Sequence, residues 1–170
     1  PGINRPTSED KSALNAFMAM TRVMNASWQL QGGLFTGMHD GFLADAYKAR
    51  DIRPDERQLF GVMARSRNFM PSLKAALHTD YRYYSDDWGI QSHTLEFAWH
   101  QSITQQLRLV PLLRYYSQSQ ADFYVDSDSI SNTGYQSSDY RMSPFGALTY
   151  GLGVVYEEAS YRLTANAERY

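Results

Sequence analysis

The sequence predicts an all-β protein, an antiparallel up-and-down meander of about eight strands, and three observations carry that prediction. Apolar and polar residues alternate with period two over most of the chain, which places one set on each face of a strand and would scatter both around a helix. Tyrosine is unusually frequent, 13 against 8 phenylalanines and 3 tryptophans, and it suits a surface apolar on one side and wet on the other. Short and longer breaks between the alternating segments broadly alternate, as they do when tight turns lie at one end of a sheet and free loops at the other.

Composition removes several alternatives. The 170 residues fit a single domain or one piece of a larger one, with enough chain to bury a sizeable core. There is no cysteine, so a disulfide scaffold, a Cys-based zinc site and a thiol nucleophile are all excluded. Lys+Arg is 16 against Asp+Glu 18, for a formal net charge of −2. That balance lacks the basic stripe of a dedicated nucleic-acid binder, and none is expected as a partner. Mean hydropathy is −0.51, and no apolar run approaches the roughly 18 residues of a helical membrane span. A membrane barrel is compatible with both facts, because its alternating strands average out as polar. The first residues, Pro1 to Pro6, contain no apolar h-region. The sequence ends at Tyr170 within what reads as a strand, which suggests a fragment of a longer barrel.

Segment 11–22 is ambiguous: Ser8, Glu9 and Asp10 resemble a helix start, and residues 13–20 are good helix formers. Its place in a meander makes it the first strand. Segment 27–35 alternates, with Trp28, Leu30 and Leu34 opposed to Gln29 and Gln31. Segment 58–67 is a third strand of weaker alternation. Over 73–84 one phase reads Leu73, Ala75, Leu77, Thr79, Tyr81, Tyr83 and the other Lys74, Ala76, His78, Asp80, Arg82, Tyr84. Asp86-Asp87-Trp88-Gly89 is turn chemistry. Leu95, Phe97 and Trp99 then oppose Ser92, Thr94, Glu96, Ala98 and His100. After a break at 101–105, Leu107, Leu109, Pro111, Leu113 and Tyr115 oppose Arg108, Val110, Leu112, Arg114 and Tyr116. A Gly-rich strand over 143–154 follows, and in the last strand Tyr161, Leu163 and Ala165 oppose Arg162, Thr164, Asn166 and Glu168. The predicted short connections are 23–26, 68–72, 101–105 and 155–158. The others are 37–56, the Asp86–Gly89 turn and 119–142.

The faces separate a soluble sheet from a membrane barrel. Lys74, Asp80, Arg82, Glu96, Arg108, Arg114, Arg162 and Glu168 share the charged phase, with both signs on neighbouring strands. Facing a lumen, such a set forms a ladder of opposite charges; facing lipid, one midplane Arg costs about 2–4 kcal/mol. Tyr81, Tyr83, Tyr115 and Tyr161 lie toward strand ends of the apolar phase, as in an aromatic girdle. A soluble β-sandwich with a Leu/Tyr core is the competing reading.

Two blocks sharpen the choice. The run from Tyr81 to Glu96 (YRYYSDDWGIQSHTLE) and the run from Leu113 to Tyr124 (LRYYSQSQADFY) resemble a family of Gram-negative outer-membrane proteins catalogued only as a domain of unknown function. Ala46-Tyr47-Lys48 followed by Arg53-Pro54-Asp55-Glu56-Arg57 resembles it more weakly. The resemblance covers roughly the last two-thirds of the chain. It implies a bacterial outer-membrane β-barrel and a longer parent protein, and it supplies no activity, substrate or catalytic residue.

Among candidate sites, His78, Asp80, Arg82, Glu96 and His100 fall on adjacent strands and one face, with Arg108, Arg114 and Arg162 added by the later strands. They read as a lumen constriction that selects charged solutes, the three arginines slightly favouring anions, as a cation site of imidazole and carboxylate, or as an electrostatic plug that only satisfies buried polar groups. Asp86, Asp87 and Trp88 read as an acidic turn with an exposed aromatic. It is either a contact at the membrane surface or a self-bonded turn with Trp88 anchored in the interface. The run from Asp126 to Asn132 fails as an EF-hand, since Ile130 replaces a ligand, Ser131 the turn glycine and Ser137 the twelfth-position Glu. No metal or other cofactor is expected. Lys48, Arg50, Arg53 and Arg57, interleaved with Asp45, Asp51, Asp55 and Glu56, read as a solvated mixed-charge loop or a contact for lipopolysaccharide phosphates. No enzyme is expected. The G-x-S-x-G elbow is absent, and pairing about 101–105 sets His93 opposite Leu113, four residues or more than about 10 Å from Ser117.

The chain is therefore read as one outer-membrane domain, or part of one. The leading function is a porin-like channel for small charged solutes. A non-conducting barrel that anchors or assembles another envelope protein is an alternative, as is a soluble ligand-binding barrel. Membrane lipid and lipopolysaccharide are the expected partners, with an envelope protein as a further one.

Overall fold

The computed structural model describes residues 9–45, 47, 48, 50–127 and 134–170. Eight strands form one antiparallel sheet in chain order: β1 Lys11–Asn25, β2 Trp28–Gly41, β3 Glu56–Met70, β4 Ala75–Asp86, β5 Gln91–Ser102, β6 Leu107–Gln118, β7 Phe145–Glu158 and β8 Tyr161–Arg169. Every pairing is between sequence neighbours, and β1 and β8 are its open edges. The fold is thus the predicted all-β meander. The ambiguous first segment is a strand, because its period-two face finds a partner in β2 over its whole length.

Several boundaries move. Strand β1 continues to Asn25 through a register shift after Val23, leaving 26–27 as the turn. Strand β7 runs to Glu158, so the expected break at 155–158 belongs to the strand. Leu73 and Lys74 are not in β4: Pro71–Leu73 form one 3-10 turn, and Lys74 caps it at φ 49°. Proline's fixed φ suits the start of that turn. Lys74 consequently leaves the charged strand face.

The register assigns the faces. One carries Leu14, Met18, Met20, Leu30, Leu34, Phe60, Leu77, Tyr81, Leu95, Phe97, Leu113, Tyr115, Leu148, Leu152 and Leu163. Many of these stand in the open: Met20 is 78 % exposed and Leu148 57 %. The charges on this face keep mostly to strand ends, with Asp40 and Glu56 at one end, Arg22 and Glu158 at the other, and Arg169 in the last strand.

The opposite face holds the charged phase and is concave, as its glycines report. The ring of Phe35 lies over Gly61 so closely that a Cβ there would overlap it, and Glu168 Cγ would stand 2.8 Å from a Cβ on Gly151. Gly32, on the outer face, has nothing within 4 Å of that position. Side chains converge on one face and splay on the other, as curvature requires.

Connections 26–27, 71–74, 103–106 and 159–160 are short and share one end of the sheet; 42–55, 87–90 and 119–144 share the other. The buried apolar cluster of the molecule sits among these latter connections, not between layers of sheet. Trp88, Ile90, Ala121 and Met142 pack together there, flanked by Leu43, Tyr84, Phe123 and Tyr124.

Candidate functional site

On the concave face one row crosses seven strands: Thr21, Gln31, Arg65, Asp80, Glu96, Arg114 and Thr149. Directly opposed residues of neighbouring strands lie on the same face, close enough for long side chains to meet. Gln31 donates to Thr21 Oγ1 at 3.0 Å, and Arg65 donates to Gln31 Oε1 at 3.3 Å. Arg67, one row below, forms a fork on Asp80, while Arg65 Nε is 3.9 Å from the same carboxylate. Arg114 donates to Glu96 at 2.6 Å and reaches past β7 to Glu168 at 3.3 Å. The rings of His78 and His100 lie against one another at a tilt of 41°, with centroids 4.0 Å apart. Among the described residues no group of His, Asp and Glu is placed to hold a metal ion.

The register brings the whole predicted set, His78, Asp80, Arg82, Glu96, His100, Arg108, Arg114 and Arg162, onto this face. It does not make them equivalent. Arg114 was expected to join Arg108 and Arg162 in favouring anions, but two carboxylates engage its charge. Arg82 has no ion pair or hydrogen bond among the described residues, and its guanidinium lies 4.4 Å from the Phe35 ring centroid. Phe35 is two strands away. Its ring reaches because Gly61 between them carries no side chain. Sequence parity put Arg82 on the right face; nothing in it singled out Phe35.

At the long-loop end, the acidic turn faces inward. Trp88, expected to be exposed, is buried at 4 % exposure. Its indole N–H donates to Glu56 O at 2.9 Å, its ring meets Phe123 edge-on, and the Arg57 guanidinium stacks over it at 4.4 Å. Asp86 Oδ1 accepts from the backbone of Trp88 (3.1 Å) and Ile90 (2.9 Å). Its Oδ2 accepts from Tyr84 Oη and Arg57. Asp87 accepts from the Gln58 N–H. The turn is self-bonded, and Trp88 is held by protein because Ala121, Phe123 and Met142 of the next long connection pack against it.

The same folding corrects the basic-loop reading. Arg53, 6 % exposed, bridges Asp51 at 2.9 Å and Asp139 at 2.7 Å. Arg141 joins Asp139 to Asp45. Arg57 is held by Asp86. Arg53 and Arg57 therefore neutralise carboxylates of this chain and are withdrawn from any phosphate outside it. Arg141 and Arg53 hold the Asp139 carboxyl well below its usual range, and Asp139 in return raises Arg141 further. The run 126–132 lies largely outside the described residues. Finally, His93 stands directly opposite Ser117, not Leu113. The β5–β6 turn is tighter than expected, at 103–106. No hydrogen bond joins the two, and Tyr81 Oη holds His93 Nδ1 at 2.8 Å.

A family model described as a protein of unknown function, DUF3570, matches residues 2–170. The chain belongs to that family. The match reaches well beyond the last two-thirds that carry the resemblance, and takes in β1 and β2. No curated protein and no solved structure matches the chain. The family gives no chemistry, so any functional reading must come from the two ends and two faces described above.

Proposed function

We propose that this family member forms part of an outer-membrane β-barrel whose concave face lines a channel for small charged solutes. The observation that carries the reading is the segregation of the faces. One presents large apolar side chains in the open on every strand but β4, whose Leu77, Tyr81 and Tyr83 are half-buried, with its charges mostly at strand ends. The other holds the ion-paired row from Arg65 to Glu168. In water the exposed apolar face would be uncovered; against acyl chains it is matched, and the polar row then faces a water-filled interior. The strands fit the span. β4, β5 and β6 have 12 residues each, which at ~3.3 Å per residue and a tilt near 40° cover about 30 Å.

The open edges of β1 and β8 bear on barrel size. Unpaired backbone groups are not tolerated in lipid, so both edges must be paired in a membrane. Pairing them through strands beyond these eight gives a barrel wider than the side-chain-filled interior of an eight-stranded one. Lipid and lipopolysaccharide are then the surroundings of the outer face, and no catalytic step is assigned. A second reading, a platform for another envelope protein, draws on the loop end, where the pairs Arg53–Asp139 and Arg141–Asp45 tie the two long connections together.

Conductance decides between them. The full-length product, refolded in detergent and inserted into planar bilayers, is expected to give discrete steps. A folded, inserted protein that never conducts refutes the channel and leaves the platform.

A further inference from the structure

Two cavities follow one another along the concave face, and Arg82 lines both. The first lies beneath the loops, about 270 Å³ in volume. Three arginines, Arg57, Arg82 and Arg141, line it; Arg57 is paired with Asp86 and Arg141 with Asp139 and Asp45, so that of the three Arg82 alone has no carboxylate partner among the described residues. The second, about 670 Å³, lies at mid-sheet. One wall of it is apolar, formed by Phe17, Phe35, Leu59 and Met63. The other carries Arg65, Asp80, Arg82 and Glu96. Both carboxylates there are taken, Asp80 by Arg67 and Glu96 by Arg114, so they do not neutralise Arg82. The volume falls in the range that encloses a small organic molecule.

We propose that Arg82 and Phe35 form a binding site for an amphipathic organic anion, a carboxylate with an apolar body. The carboxylate meets the Arg82 guanidinium, whose planar fork can take both oxygens. It points toward the arginine-lined space beneath the loops. The body lies in the mid-sheet cavity against Phe35, Phe17 and Met63. Phe35 holds Arg82 by cation–π contact over Gly61 and so presents the fork without a carboxylate partner, which its neighbours Arg65, Arg67 and Arg114 each have. The inference deepens the channel reading and rests on it only in taking the concave face as the solute path.

The test uses the full-length product refolded into lipid nanodiscs, with 4-phenylbutyrate as probe and 4-phenylbutylamine as its cationic counterpart. Binding is measured by titration calorimetry. The carboxylate is expected to bind at least tenfold more tightly than the amine. Arg82→Gln should weaken the carboxylate at least tenfold and abolish the preference, Arg82→Lys should retain part of it, and Arg22→Gln, on the opposite face of β1, should change nothing. Equal binding of the two probes, or an Arg82→Gln protein that binds like the parent, overturns the site. The bilayer assay keeps the readings apart. Conductance without Arg82-dependent binding removes the site and keeps the channel. Arg82-dependent binding without conductance supports the site and removes the channel.

Discussion

Arg53→Met tests whether the loop end is one cooperative unit held by a buried charge. Arg53 is the most buried tie between the two long connections, beside the exposed Arg141–Asp45 pair, donating to Asp51 Oδ1 at 3.0 Å and to Asp139 Oδ2 at 2.7 Å. The side chains of Asp51 and Asp139 are 0 % and 4 % exposed. Methionine keeps an unbranched apolar stem in place of the arginine and removes its charge and guanidinium, leaving two buried carboxylates. They fare differently. Asp139 keeps Arg141, whereas Asp51 keeps the Asp45 N–H at 2.5 Å and has no other ion-pair partner among the described residues. Removing one member of a buried ion pair costs about 3–5 kcal/mol, and the surviving Arg141 puts this case near the lower end. The assay is native-state hydrogen exchange on the refolded protein, read at amides that close the loop end. These are Ala121 to Met142 O, Val125 to Ser137 O, Gln136 to Ile52 O and Ser137 to Phe123 O. Three kcal/mol corresponds to protection lower by roughly a hundredfold or more. Amides of β4 and β5 around Asp80 and Glu96 should keep theirs. A fall of less than threefold at the loop amides, or an equal fall in the sheet, would falsify the idea that Arg53 clamps a separate unit.

Two further outcomes follow from the same geometry. Because Asp139 is held below its usual value of 3.8 by Arg141 and Arg53, its contribution is complete above that value and is lost only as pH falls toward the depressed native one. Loop-amide protection should therefore be level from pH 7 to about 4 and decline below, and a decline centred between pH 5 and 6 would contradict it. Leu112 and Leu113 occupy one depth on opposite faces. If the outer face meets lipid, Leu113→Arg should cost about 2–4 kcal/mol and impair insertion into liposomes, while Leu112→Arg should insert normally. Equal insertion of the two would exclude a lipid-facing Leu113.

The sheet and the two sides of it were legible from the residues alone. Alternation is a local property. The parity of His78, Asp80, Arg82, Glu96, Arg108, Arg114 and Arg162 placed them on one face without knowledge of any partner strand, and the turn residues around Asp86–Gly89 placed the hairpins. Lys74 shows where parity alone misleads, since a one-turn 3-10 segment took it off the strand. Register was decided only by the tertiary structure, because it depends on where each turn closes. A shift of a few residues separates His93 opposite Leu113 from His93 opposite Ser117. Register in turn chose which charges meet. It gave Arg114 two carboxylates and Arg82 none, and it set Gly61 where Phe35 could cross to reach that arginine. The loop end was still less legible. Asp51, Arg53 and Asp139 meet through a fold of two distant connections, and Trp88, read as exposed from its polar turn, is buried because Ala121, Phe123 and Met142 pack against it.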